Sequence, residues 1–288
     1  MRYFLILLKI ISLTIILSVV FGGLYVFFTR GNIPSQYESG ARADQLAREL
    51  QGAVKRNAWA ETGAIKWSIL DFDYLWDLNR GLVRAQFAQY EVLFDVDFKR
   101  FIAREHPTPE STRWVKIEGS RAEQVARLGY GFWLRDRFIL EPTQSLFDEG
   151  VERYLVERSS GKASNPQKHT DLLVHYRRGA PNPGDTFLWE RDQHGLPTSI
   201  RVWSDSLPVA WLSSGQAMKL ERWRILDTGL KVSTLRQFGP FSFEIKVKAG
   251  LSLTHVIGRS DPLKVIEGDP FDPPPSSQPS NLPDKQRF

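Results

Sequence analysis

The sequence predicts an α+β domain: a strongly curved antiparallel sheet of about ten strands with helices laid on one face, tethered by an N-terminal transmembrane helix. Three observations predict it. Residues Ile10 to Phe28, IISLTIILSVVFGGLYVFF, carry no charge, and an apolar run of that length spans a bilayer as a helix. From Ala64 to Ala249 apolar and polar residues alternate in short segments broken by turn signals, the pattern of antiparallel strands. Two segments instead repeat apolar residues every three or four positions, the period of a helix with one buried stripe.

Composition narrows the class. The 288 residues are 42% hydrophobic and 25% charged, enough for one large domain or two small ones. Nine Trp and eighteen Phe require an interior or a cleft that accommodates many flat rings. There is no cysteine, which excludes disulfides, a lipidated N-terminal Cys and a thiol nucleophile. The formal charge is +5 and the pI about 9.4, but Lys and Arg are scattered among acids without a long basic block. That argues against a nucleic-acid partner and for a mildly cationic surface at home near anionic lipid headgroups.

Arg2, Lys9 and the terminal amine precede the apolar run, and Arg30 with Glu38 follows it. This asymmetry puts the N-terminus in the cytoplasm and the body of the chain in the periplasm, anchored to the inner membrane by a single pass. No small-x-small cleavage site follows, which favours an uncleaved anchor over a signal peptide. The expected organisation is an anchor over 1–30, a polar spacer over 31–41, a sheet domain over 42–260 and a tail over 261–288. From Phe271 that tail reads FDPPPSSQPSNLPDKQRF, too rich in proline to pack.

Within the domain, Ala43, Leu46, Ala47, Leu50, Ala53 and Val54 form a narrow apolar stripe on a first helix, whose small residues allow close approach to a sheet. Strands are expected over Ala64 to Leu70, Tyr74 to Asp77, Leu82 to Phe87, Glu91 to Asp97 and Arg113 to Ile117, with a loop at His106 to Pro109. Ser120 to Glu123 has the form of a capping box, so a short second helix is expected to run to Gly129 and stop there. Val151 to Arg158 reads as a further strand, a polar loop follows over Ser159 to Lys168, and a meander from Asp171 to Ala249 then runs through Leu172 to Tyr176, Phe187 to Arg191, Ile200 to Trp203, Lys219 to Leu226, Leu230 to Phe238 and Phe241 to Lys248. In the last of these, Phe241, Phe243, Ile245 and Val247 face inward and Ser242, Glu244, Lys246 and Lys248 face water.

The sequence shows no G-x-S-x-G, phosphate-binding glycine loop or paired metal-ligand histidines. Neither a cofactor, a metal nor a catalytic residue is therefore expected. Asp71, Asp73 and Asp77 are a loose carboxylate group that reads as turn and strand ends, and Glu141, Asp148, Glu149 and Glu152 read as a solvated acidic rim. The strongest signal is the set of rings spread over the strands. Trp67, Trp76, Phe87, Phe94, Trp133, Trp189, Trp203 and Trp223 are candidates to line an apolar groove, as Phe187 could, and core packing is the alternative for each. Asp77, His175 and Asp185 are the polar candidates beside them.

YLWDLNRGLVR at Tyr74 to Arg84, RDRFILEPTQSLFDEGV at Arg135 to Val151 and LLVHYRRGAPNPGDTFLWERDQHGLPTSIRVW at Leu172 to Trp203 resemble a broad, uncharacterised family of bacterial envelope proteins. That family looks related to the lipoprotein carriers of the LolA and LolB type. The resemblance covers Trp59 to Ala249 and implies an open LolA-like half-barrel with helices on its concave side, an apolar cavity and no established catalytic residues. This chain departs from the carriers in its anchor and its Pro-rich tail. The resulting expectation is a membrane-anchored periplasmic protein that binds a lipid, a lipoprotein or another hydrophobic ligand. The alternatives are a structural or interaction protein of the envelope with a plugged cavity and a protein partner, and a hydrolase using Asp71, Asp73 or His175.

Overall fold

The computed structural model describes residues 11, 12, 14, 31–106, 108, 111, 113–143, 145–160, 167–177, 183–204, 214–258 and 260–268. The expected anchor, apart from Ile11, Ser12 and Thr14, and the tail beyond Gly268 lie outside them. No helix among the described residues is long and apolar enough to cross a membrane.

The described residues form one large open antiparallel sheet of fourteen strands with a few helices, an arrangement consistent with a half-barrel. Two meanders build it. The first comprises β2 (Ala64–Ile69), β3 (Phe72–Asp77), β4 (Leu82–Phe87), β5 (Tyr90–Asp95), β6 (Phe101–Glu105) and β7 (Val115–Lys116). The second comprises β8 (Val151–Ser160), β9 (Gln167–Tyr176), β10 (Thr186–Arg191), β11 (Pro197–Trp203), β12 (Ser214–Ile225), β13 (Lys231–Phe238) and β14 (Phe241–Gly250). They join where β14 pairs with β2, Ala249 opposite Ile65 and Val247 opposite Trp67. The two-residue β1 (Glu38–Ser39) closes the far edge against β8. Short end strands of this kind leave little unpaired backbone to recruit another chain.

Two long helices lie on what we term the front face. α1 (Ala41–Ala53) buries Ala43, Leu46, Ala47 and Leu50 against Leu155, Leu172, Val174 and Trp189 of the second meander, as its stripe predicts. α2 (Gly119–Leu140) packs over the first meander, burying Val125, Ala126 and Trp133 against Val83, Phe87, Val92 and Phe94.

Three expectations are corrected here. The second helix does not stop at Gly129 but runs eleven residues further, to Leu140. A Cβ at Gly129 would lie 3.0 Å from both Phe87 Cε1 and Val92 Cγ2, so this glycine lets helix and sheet approach rather than ending the helix. Helices are not confined to one face, because α3 (Leu253–Ile257) and α4 (Lys264–Gly268) cover the back. Leu75, Leu82, Leu93 and Ile102 are apolar on that side, and Val256, Leu263 and Ile266 keep water off them, which extends the packed domain past 260. The spacer, finally, is tied down. The Trp203 indole donates to the Gly31 carbonyl at 2.8 Å, and β1 pairs Glu38 with Leu155.

Candidate functional site

The site grows from the C-terminal half of α2. Helical spacing brings Tyr130, Trp133, Arg137 and Leu140 to neighbouring turns on one side of the helix. Trp133 stands edge-on to Trp76 at 5.4 Å and 89°, and edge-on to Phe94 at 5.5 Å, the arrangement ring quadrupoles favour. The Arg137 guanidinium lies over the Trp133 and Trp76 rings at 5.1 and 5.4 Å. Burial lowers its pKa, with Tyr130, Asp148 and Glu141 pulling the other way.

The adjacent residue engages the same face of the sheet. Asp136 is fully buried and takes a hydrogen bond from the Tyr74 hydroxyl at 2.6 Å and one from Arg135 Nε at 2.6 Å. Burial first, and Asp136 second, push the Tyr74 hydroxyl upward. This pairing fixes the rotation of α2 about its axis, because Tyr74 is immobilised in β3 against Trp67, at 4.9 Å.

Beyond Leu140 the chain crosses from one meander to the other, and there carboxyls and guanidiniums converge. Glu141 is buried and accepts from the Thr143 N–H at 3.1 Å and from its hydroxyl. Its other oxygen faces Arg56, whose Nε lies 3.9 Å from it. Burial raises the Glu141 pKa against the pull of Thr143 and Arg56, and burial likewise raises that of Asp148 against Arg137 and Arg56. Gln51 of α1 donates to the Thr143 carbonyl at 2.9 Å, so both long helices meet at this crossing. A cleft of about 510 Å³ opens beside it, lined by Arg48, Gln51, Lys55, Arg56 and Asn57 among others.

From the sheet, Arg236 of β13 enters the same seam. Its Nη2 donates to the Ile139 carbonyl in the last turn of α2 and its Nη1 to the Ser233 carbonyl, each at 2.7 Å, while Nε has no partner among the described residues. Only 1% of the residue is exposed, and burial alone lowers its pKa to about 9. The indole N–H groups of Trp67, Trp76, Trp133 and Trp189 are likewise buried without acceptors among the described residues. Buried polar atoms left this way are few in native proteins, and this face holds a concentration of them.

Of the ring candidates, Trp67, Trp76, Phe87, Phe94 and Trp133 belong to the core under α2 and Trp189 to that under α1. Trp223 is half-buried at the border of the α1 core, with Lys231 Nζ 6.0 Å from its ring. Trp203 lies on the back face with Val156, Leu173 and Leu188. The polar candidates are dispersed. Asp77 closes the turn into β4 by accepting from Arg80 N at 3.1 Å and Nε at 2.8 Å, and His175 Nδ1 contacts Thr186 Oγ1 at 3.0 Å on the back face. Asp185 is buried where the chain enters β10, its carbonyl accepting from the Tyr176 N–H at 2.9 Å. Asp71 and Asp73 are exposed. Among the described residues there is no group of three or more His, Asp or Glu placed to hold a metal ion.

Arg137, Glu141, Asp148 and Arg236 are absent from the sequence-derived set. The acidic pair reads as a solvated rim, and Arg236, in an alternating strand, reads as surface. The faint signal was RDRFILEP, charge placed inside an apolar segment.

No protein-family model matches the chain, and no curated protein matches it. Among solved structures, it is similar to the crystal structure of a DUF1329 family protein from Desulfovibrio piger, at a TM-score of 0.38 and 10% sequence identity, over 78% of this chain and 98% of that one.

Proposed function

We propose that the chain is a non-catalytic binding protein of the bacterial envelope, anchored in the inner membrane by residues 1–30 with its half-barrel in the periplasm. Its front face takes the hydrocarbon of a lipid, or of a lipidated partner, when α2 moves aside. The observation that carries this reading is Arg236. A desolvated guanidinium without a carboxylate partner is a poor way to build a permanent core, since an apolar residue of similar size commonly stabilises such a position at least as well. As a tie between sheet and helix it makes sense. Its bond to the Ile139 carbonyl holds α2 down, and release exposes the cation to water or to an anionic headgroup while uncovering Trp76, Phe94 and Trp133.

A second reading has its own observation: Trp67, Trp76, Phe87, Phe94, Trp133 and Trp189 are each at most 8% exposed. A hollow filled permanently by its own side chains would suit an interaction protein whose partner engages its surface.

One experiment separates the two. A Cβ at Gly129 would lie 3.2 Å from Val92 Cβ, slightly under the usual disulfide spacing, and the chain has no cysteine to interfere. The double variant Val92→Cys/Gly129→Cys can therefore lock α2 onto β5. The lid reading expects the full chain in detergent to take up a hydrophobic fluorophore or to carry lipid in native mass spectrometry, to lose this when oxidised and to regain it with reductant. Uptake that persists in the locked form refutes the lid. No uptake in either form supports the filled hollow.

A further inference from the structure

The back face carries a cationic groove that the front-face reading does not use. Register places Lys248 of β14 opposite Lys66 of β2. Continuing across the sheet, Leu75 of β3 is opposite Lys66, and Arg84 of β4 is opposite Leu75. Like charges facing one another across a strand pair repel, so something must offset this row. Lys66, Arg84 and Lys248 line a groove of about 610 Å³ roofed by Val256, Ile257 and Pro262, a volume in the range of small-molecule sites.

The carboxylates nearby are already engaged. Asp261, the acid lining the groove, lies 2.9 Å from Arg80 Nη1 and accepts from the Leu263 N–H at 2.9 Å. Asp77 is held by Arg80, and Glu91, farther along the same face, pairs with Arg104 at 3.3 Å. Lys248 Nζ donates only to the Val256 carbonyl, at 3.2 Å. Arg84 Nε is shielded from solvent and has no hydrogen-bond partner. Asp73, on the same face and diagonal to Lys66 and Arg84 in the register, accepts from the Ser68 hydroxyl and does not line the groove, so among the described residues three cations converge with no carboxylate of the lining left to pair them.

We propose that this groove binds an anion of the phosphate or phosphomonoester class, with the Arg84 guanidinium and the two lysine ammoniums as its ligands. A doubly charged group matches that donor set, since a guanidinium fork takes two oxygens side by side and ammoniums act as point charges on the rest. The apolar roof of Val256, Ile257 and Pro262 leaves a dry wall for whatever carbon skeleton the phosphate carries. A free phosphate and the headgroup of a phosphatidate present the same chemistry here. The site lies on the opposite face from α2 and stands independently of the lid.

The test is thermal unfolding of the full chain in a neutral maltoside detergent, with sodium phosphate against sodium chloride at matched ionic strength. Wild type is expected to melt several degrees higher in phosphate, with at least a tenfold weaker apparent affinity in Lys66→Gln or Lys248→Gln and no phosphate effect in the double variant. In dilute chloride the same substitutions remove repulsion, so they should melt at or above wild type, a sign that a merely structural role for either lysine would reverse. A second arm uses dihexanoyl phosphatidate: binding tenfold tighter than inorganic phosphate assigns the site to a lipid headgroup, and equal or weaker binding assigns it to free phosphate. Phosphate and phosphatidate that both act no differently from chloride on wild type, or an effect that survives in the double variant, overturn the proposal. Val92→Cys/Gly129→Cys, oxidised, should keep the phosphate effect, which separates failure here from failure of the lid.

Discussion

Replacing Arg236 by Met exchanges a dry cation for a side chain of comparable length, and its consequences can be worked from the geometry. The substitution removes two bonds from a charged donor, to Ile139 O and Ser233 O, worth about 1.5–3 kcal/mol each. Against that stands the strain of holding the charge out of water. A pKa of about 9, set against a usual guanidinium value above 12, corresponds to roughly 5 kcal/mol at about 1.4 kcal/mol per tenfold change in proton affinity. The two effects nearly cancel, so Arg236→Met should unfold within about 2 kcal/mol of wild type at pH 7. The pH dependence discriminates. The folded-state pKa lies below the unfolded one, so between pH 9 and 12 the unfolded chain binds the extra proton, and wild-type stability rises with pH as the penalty on the buried charge is lifted. The variant lacks this contribution, while Tyr74 and Tyr176, which burial keeps protonated in the folded chain and which titrate in that window only when unfolded, are shared and drop out of the difference. Urea titrations followed by tryptophan fluorescence should show wild type gaining about 2 kcal/mol on the variant between pH 9 and 10.5. A gap that stays constant over that range would mean that Arg236 keeps an ordinary proton affinity, that the seam is wet and that Arg236 is not a dry tie between sheet and helix.

Glu141→Gln keeps the acceptor for Thr143 and removes a buried charge. Since burial raises the Glu141 pKa in the folded state, its contribution is fully present below the unfolded value and is lost as pH rises through the folded one. The variant should therefore be more stable than wild type by about 1 kcal/mol at pH 7 and indistinguishable from it below about pH 4; an equal advantage at both pH values in urea titrations would contradict this. Gly129→Ala gains about 1 kcal/mol of helix propensity but must push Phe87 and Val92 aside from 3.0 Å, at about 1–3 kcal/mol. Net destabilisation with increased fluorophore uptake is expected, and a more stable protein with unchanged uptake would place the helix farther from the sheet. Leu70 sits exposed in the β2–β3 turn at φ 52°, where Asn is more at ease. Leu70→Asn should raise stability by about 1 kcal/mol, or a few degrees in a thermal scan, and a lower melting temperature would count against it.

The sheet was legible because its information is local. Strand alternation in Leu82 to Phe87 or Phe241 to Lys248 needs only neighbouring residues to be read, and the register follows once the turns are placed. Even so, β6 was missed: its five residues, FIARE, are too short for a periodic signal to build. The helix stop failed at Gly129 because a glycine near the end of an apolar stripe reads as a terminator, whereas here its meaning comes from Phe87 and Val92 on strands far away in sequence. The seam was illegible for the same reason. Whether Arg236 is a surface cation or a dry one is decided by Ile139, ninety-seven positions earlier, and no window on β13 contains it.

The two faces of the sheet treat positive charge in opposite ways, and this bears on how the domain could work. On the front, Arg236 is held under α2 with backbone carbonyls for partners, so its charge favours any change that admits water or an anion. On the back, Lys66, Arg84 and Lys248 repel one another in a groove that solvent and a ligand can already enter, so occupancy there needs no helix to move. β14 connects them physically: Lys248 points to the back from the strand whose Phe243 is opposite Arg236. Whether an anion in the groove alters the front seam is then a measurable coupling. If it does, phosphate should change fluorophore uptake in wild type and leave it unchanged in Lys66→Gln/Lys248→Gln; identical uptake with and without phosphate in both would show that the shared strand transmits nothing between the faces.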